Sequence, residues 1–351
     1  MVVPMIENDD APFRLSPKCL AEKTATPEAE RRDRPATWFL AAMPLLSALP
    51  AGFMIGREML GLLLPPALAA CWWLARRRKA RFRRRRDLWN QAFPAEFEAF
   101  LLTGIPHYRR LEEAGRELFR QRAKIFLEET VFHGAGVEID DRLRLCAAAA
   151  AVIPTLGFPE WQWPTLREII FRPEGYADAC YADAGGVVTE FEESGMMGVS
   201  GILSGVMMLS AEDLAREFAD PEDGENVGFH EFAHLMAGEA ELPAGSDRAG
   251  WSRLLERERR RLDRGESLLD EYAFLNGDEL FASASELFFT IPRAFRLWHR
   301  ELYATLKRAY RQDPCQWLED HGPPPETPPR RRRRRGKRLP ARRRDGKRLW
   351  R

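Results

Sequence analysis

The sequence predicts an α+β protein in which helix dominates, with two apolar segments ahead of the globular part. Three observations lead there. Long stretches place apolar residues three and four apart, which is the helical period. Strand-like runs are few and short, bounded by Gly and Pro. Residues 37–75 carry only two charges, Arg57 and Glu58, whereas the remainder is densely charged. A length of 351 residues allows one large domain or two small ones. The hydrophobic content of 45% and charged content of 30% argue against a wholly disordered chain. No segment repeats with a period of 20–50 residues, which excludes a solenoid.

Charge divides the chain. Its net charge of +1 conceals +9 on residues 76–86 and +13 on residues 330–351, which leaves −21 for the rest. An acidic body with two basic segments implies separate partners for each. Five cysteines with no C-x-x-C pair argue against a disulfide framework or a Cys-rich zinc site. They are expected to be thiols in a reducing compartment.

Residues 1–36, rich in Pro and charge, are expected to form a disordered tail. The apolar segments 37–56 and 59–75 are each near the length of a membrane span. Trp38, Trp72 and Trp73 stand at their outer ends, where aromatic belts form. Basic residues flank both ends, "RRDR" (31–34) before and "RRRKARFRRRR" (76–86) after. Two cytoplasmic flanks require an even number of spans. A transmembrane helical hairpin over 37–75, with a tight outer turn at 56–58, is therefore expected; a single span and a signal segment are the alternatives. The basic juxtamembrane segment 76–87 would contact anionic headgroups. The globular part would then face the cytoplasm from the inner (cytoplasmic) membrane.

The globular domain is expected over residues 88–320. Helices are predicted over 94–105, 108–130 and 140–153, the last stopped by Pro154. Short strands are predicted over 167–171, 186–191 and 206–210. Ser210 with Asp213 reads as a cap opening a helix at 211–218. Further helices are predicted around 225–238, 249–262, 277–290 and 292–311. "GPPPETPP" (322–329) closes the domain, and 321–351 is expected to be a disordered Pro/Arg-rich tail that binds anionic partners nonspecifically.

The chemistry centres on "ENVGFHEFAHLMAG" (225–238). On a helix, His230 and His234 are one turn apart on one face, so both imidazoles can reach one tetrahedral Zn²⁺. Glu231 can hold the water that the metal acidifies. Val227, Phe229, Phe232, Ala233, Leu235 and Met236 make this helix apolar nearly all round, hence buried. Ionisable groups there are costly unless compensated. A metal ion compensates them; a buried His–Glu network without metal is the alternative. Ala240 excludes the H-x-x-G-x-x-H continuation. The third ligand could be Glu239, Glu241, Glu279 or Glu286, of which the first two are too close in sequence to reach back easily. Glu279 and Glu286 are seven apart behind the N-cap candidate Asn276, and periodicity does not choose between them. His107, His133, His299 and His321 lack metal spacing and are expected to be surface or structural. Asn226 could brace the site or face solvent.

"HEFAH" (230–234), Trp251, "DEYAFLNGDELFASASELFF" (270–289), "YRQDPCQW" (310–317) and the preceding "GVMMLSAEDL" (205–214) together resemble the Mlc titration factor A (MtfA) family of zinc peptidases. The resemblance covers roughly residues 88–318. It implies a zincin-like metallopeptidase domain with an H-E-x-x-H active-site helix and a small sheet. It implies Zn²⁺ held by His230, His234 and Glu279, with Glu231 as general base and Tyr272 stabilising the oxyanion. Strand 206–209 would pair with an extended peptide or protein substrate. The family also implies an alternative role, the sequestration of a transcriptional regulator. The chain departs from the family after the motif. Leu235, Met236 and Ala237 stand where Lys-Leu-Asp is common, which removes a carboxylate that could brace a ligand histidine.

Overall fold

The computed structural model describes residues 42, 43, 46, 57–158, 161, 163, 165–173, 180–182, 188–190, 205–221, 224–240 and 248–318. The tails 1–36 and 321–351 lie outside them, as does nearly all of the apolar segment 37–56. The chain divides into two compact units, one containing the long first helix and one containing the globular residues.

The first unit carries α1 (Arg57–Asn90), a single helix of 34 residues. It bears on one part of the expected hairpin, the turn at 56–58, because the first segment, 37–56, lies almost wholly outside the described residues. Arg57 and Glu58, placed in an outer turn by the sequence reading, are the first residues of α1. The apolar stretch 59–75 runs without a break into the basic run 76–86. Its 17 charge-free residues rise about 25 Å as a helix, short of a hydrocarbon core of about 30 Å. Among the described residues no helix is long and apolar enough to cross a membrane. Leu68, Trp72 and Trp73 are exposed, and the guanidinium groups of Arg76 and Arg77 each lie 5.1 Å from the ring centres of Trp72 and Trp73.

In chain order the globular unit comprises α2 (Ala95–Gly104), α3 (Pro106–Arg110), α4 (Glu113–Glu129), β1 (Val131–Gly134), α5 (Asp141–Val152), β2 (Glu168–Arg172), β3 (Cys180–Ala182), β4 (Val188–Glu190), β5 (Val206–Ser210), α6 (Ala211–Ala219), α7 (Val227–Ala240), α8 (Arg248–Asp263), α9 (Gly277–Thr290), α10 (Pro292–Trp298), α11 (Arg300–Tyr310) and α12 (Pro314–Trp317). The class is α+β with helix dominant. β1, β2 and β5 form a parallel sheet with β2 in the middle, while β3 and β4 pair antiparallel. In β2, Ile169 and Phe171 are fully buried and alternate with half-exposed neighbours, as the two-residue period of a strand requires.

Two predicted helices are each split in two. The helix predicted over 108–130 is interrupted at Leu111 and Glu112, whose backbones are extended. The one predicted over 292–311 breaks at His299, with φ −131° and ψ 51°. Both breaks fall at residues engaged in the tertiary structure. Leu111 is buried, and the His299 ring is pinned on both nitrogens. Strand β1 escaped the sequence reading because its four residues are mostly exposed and show no alternation of polarity.

The core forms where α7 packs on α9, with α5, α6 and β5 also against α7. Local chemistry starts each of these helices. Asp140 caps α5 through Leu143 N at 2.8 Å, and Ser210 caps α6 through Asp213 N at 3.2 Å. Gly228 allows α7 its close approach. A Cβ there would stand 2.5 Å from Ala150 Cβ and 2.8 Å from Leu214 Cδ1. Every residue of α9 from Glu279 to Thr290 is buried.

His107 sits beneath both site helices, among the rings of Phe218, Phe229 and Trp317. Its Nε2 donates to the Phe289 carbonyl at 2.6 Å. Burial lowers this imidazole to about 4, against the opposing pull of that hydrogen bond. The unfolded chain, with an ordinary histidine value near 6.5, therefore binds a proton that the native state refuses. Stability is expected to fall as pH drops from about 6.5 to about 4, by on the order of 3 kcal/mol from this group. Urea unfolding at stepped pH, compared with His107→Gln, should show this added slope in the parent alone.

Candidate metal centre

Helix α7 places His230, Glu231 and His234 inside the core, each no more than 5% exposed. Two side chains set its first turn. Asn226 Oδ1 accepts from Phe229 N at 2.9 Å, and Glu217 Oε2 on α6 accepts from Val227 N at 2.5 Å. Asn226 is thus a helix cap, fully buried, rather than a solvent-facing residue.

Helix α9 supplies carboxylates. Asn276 Oδ1 accepts from Glu279 N at 2.8 Å. This holds Glu279 in the first turn, where the helix dipole favours negative charge. Glu279 Oε2 lies 3.4 Å from His230 Nε2 and 3.5 Å from His234 Nε2. The two Nε2 atoms are 3.1 Å apart. One ligand atom from each of the three residues falls within 4.8 Å of the others. Of the two α9 candidates, Glu279 is the one that meets both imidazoles at Nε2. Glu286 contacts His230 on the opposite side of the ring, at Nδ1. Glu239 is described only in its backbone, and Glu241 lies outside the described residues.

Tyr272 belongs to a single 3₁₀ turn, Tyr272–Phe274, just before α9. Its hydroxyl donates to Glu279 Oε1 at 3.2 Å, and its ring centre is 6.4 Å from that of His230. The segment before it is clamped from a distance. Leu268 N donates to His299 Nε2 at 3.0 Å, and His299 Nδ1 bonds Glu258 Oε2 of α8 at 2.5 Å. The sequence reading classed His299 only as structural or surface. Its link to the Tyr272 segment spans 31 residues, and no local signal carries it.

The donor set fits a cation. Burial pushes the Glu279 carboxyl up, but the imidazoles of His234 and His230 outweigh it and hold the group well below the usual carboxylate range. Glu279 is therefore an anion at neutral pH. Glu231 Oε2 and Glu279 Oε2 are both buried without a hydrogen-bond partner. Leaving such acceptors unmet is costly, and acidic side chains crowd the two imidazoles in a nearly dry interior. A divalent cation bound by His230, His234 and Glu279 offsets that charge with a three-ligand set that leaves a coordination position open. Glu231, adjacent in sequence to a ligand, is buried, and its Oε2 has no hydrogen-bond partner.

Comparison with known proteins points to a metallopeptidase family. The model of a family described as glucose-regulated metallo-peptidase M90 matches residues 79–311. An uncharacterized protein of Synechocystis sp. is 27% identical over 244 residues, 66% of this chain and 89% of that protein.

Metal binding to the native state alone must stabilise it, by about 2.7 kcal/mol at a free metal concentration 100 times Kd. Thermal unfolding after chelation is expected to shift upward on adding a divalent metal, and the shift should vanish in His234→Ala. A parent midpoint indifferent to every divalent metal tested would remove the centre.

Proposed function

The chain belongs to the glucose-regulated metallo-peptidase M90 family, and from that premise we propose that it is a zinc-dependent peptidase attached to the membrane. One observation carries the reading: two imidazoles and a carboxylate converge in the core, and Glu231, next in sequence to a ligand, is buried with its Oε2 lacking a hydrogen-bond partner. Two nitrogens and one oxygen around an open position suit Zn²⁺ better than an oxygen-seeking cation. Bound zinc would supply Lewis acidity and lower the pKa of water.

The protein's residues then divide the work. His230, His234 and Glu279 hold the metal. Glu231 takes the proton from the attacking water and delivers it to the leaving amine. Tyr272, whose hydroxyl stands on Glu279 Oε1 at 3.2 Å, is close enough to the ligands to donate a hydrogen bond to the oxyanion. Strand β5 hydrogen-bonds only to β2 within the described sheet, so its other edge suits an extended peptide chain. The expected substrate is therefore a peptide or an extended protein segment.

Glu231→Gln keeps the ligand set and removes the base. Peptide turnover is expected to fall by at least about 10²-fold, with zinc content by metal analysis unchanged. Cleavage at the parental rate would exclude this mechanism.

Attachment through α1 is supported by its composition rather than by a span. Exposed Leu68, Trp72 and Trp73 precede Arg76, Arg77 and Lys79 on one exposed stripe. Indole rings suit the headgroup level, and each basic residue near an anionic surface contributes about 1 kcal/mol. On this reading the peptidase would sit on the cytoplasmic face of the inner membrane, where basic segments reside. The full chain should co-sediment with phosphatidylglycerol vesicles at low salt, and less so with both Trp72 and Trp73 changed to Ala. Equal sedimentation of parent and variant would assign binding to another basic segment.

A further inference from the structure

We propose that Glu286 is the positioning residue that makes His230 a competent metal ligand, and that it fills the role left open by the missing carboxylate after the H-E-x-x-H motif. The inference rests on the zinc-peptidase reading and deepens it.

A neutral imidazole can ligate through only one nitrogen, and the other must then carry the proton. His230 Nε2 faces the ligand cluster, 3.1 Å from His234 Nε2 and 3.4 Å from Glu279 Oε2. Its proton therefore belongs on Nδ1, and the group in ion-pair contact with Nδ1 is Glu286 Oε1, at an angle that is not yet an aligned hydrogen bond. Both side chains are almost completely buried, at 1% and 2% exposure, so water does not compete for either. A carboxylate receiving the Nδ1 proton selects the tautomer, fixes the ring plane and raises the basicity of Nε2.

Glu286 does not qualify as a ligand itself, because the ring of His230 stands between its carboxylate and the cluster. Yet it lies on the same helix as Glu279, seven residues on, which is nearly two full turns. One face of α9 thus presents both the ligand carboxylate and the positioning carboxylate. On α7, Leu235 and Met236 are buried and apolar, and Ala237 carries no acceptor. Helix α9 therefore supplies to His230 a carboxylate that the residues following the motif lack.

The test is zinc affinity by competition with a chromogenic chelator, on the full chain. Glu286→Gln is nearly isosteric and is expected to weaken zinc binding about 10- to 100-fold. Glu279→Gln, which removes a ligand, should weaken it further. Glu286→Asp keeps the charge at shorter reach and should fall between parent and Gln. The visible spectrum of the Co²⁺-substituted Gln variant should differ from the parent's, because the His230 ring is no longer held in one plane. Ser285→Ala, which removes the bond from the Tyr310 hydroxyl, serves as the comparison for stability alone. It should lower the thermal midpoint without moving zinc affinity. If Glu286→Gln proves unfolded, Glu286→Asp carries the same reading. Unchanged zinc affinity in the folded variant overturns the proposal. A parent that binds no zinc overturns the peptidase reading itself, so the two failures are distinct.

Discussion

The packing of α7 against α9 forces ionisable groups into the driest part of the protein, and the rest of the globular unit is arranged around that constraint. His230, Glu231, His234, Glu279 and Glu286 are all buried. Apolar packing favours the contact between these helices, while the desolvated charge within it opposes the contact. Two kinds of compensation are visible. Carboxylates face imidazoles, and helix α9 directs its N-terminal turn toward the acidic cluster. Glu231 Oε2 and Glu279 Oε2 remain buried without a hydrogen-bond partner. That residue of uncompensated charge is what distinguishes this core from an ordinary one, and it is the physical basis for placing a cation there.

Position in such a site has to be set from several directions. Asn226 and Glu217 close the open end of α7. Asn276 does the same for α9 and, in the same bond, places Glu279. The turn bearing Tyr272 is held by His299, which Glu258 orients in turn. The helix break at His299 and the location of Tyr272 thus have one cause. A histidine whose two nitrogens bind Glu258 and Leu268 N has left the helical path. His107 is the counterpart on the apolar side, a neutral imidazole among aromatic rings that ties α3 to the end of α9.

The departure from Lys-Leu-Asp after the motif acquires a different meaning in three dimensions. From the sequence, Leu235, Met236 and Ala237 look like the loss of a supporting carboxylate. In the fold, Leu235 and Met236 are core residues, and a carboxylate reaches His230 from α9 instead. The requirement is chemical, an acceptor at Nδ1, and it is indifferent to which helix provides it. A motif read along one helix registers only half of such a requirement.

Sequence alone determined whatever depends on neighbours along the chain. The buried character of 225–238, the i, i+4 placement of His230 and His234, the caps at Ser210 and Asn276, and the shared face of Glu279 and Glu286 all follow from helical period and short-range hydrogen bonding. Tertiary structure decided what depends on contacts across the chain. It separated Glu279 from Glu286, because only packing shows which carboxylate meets Nε2 and which meets Nδ1. It broke the helices at Leu111, which is buried, and at His299, whose ring binds groups 31 and 41 residues away. It joined the apolar stretch 59–75 to the basic run in one helix, because an α-helix continues through a change of polarity as long as its backbone bonds do. Period and capping act within a few residues, whereas coordination, tautomer choice and helix breaks are settled by groups tens of residues away.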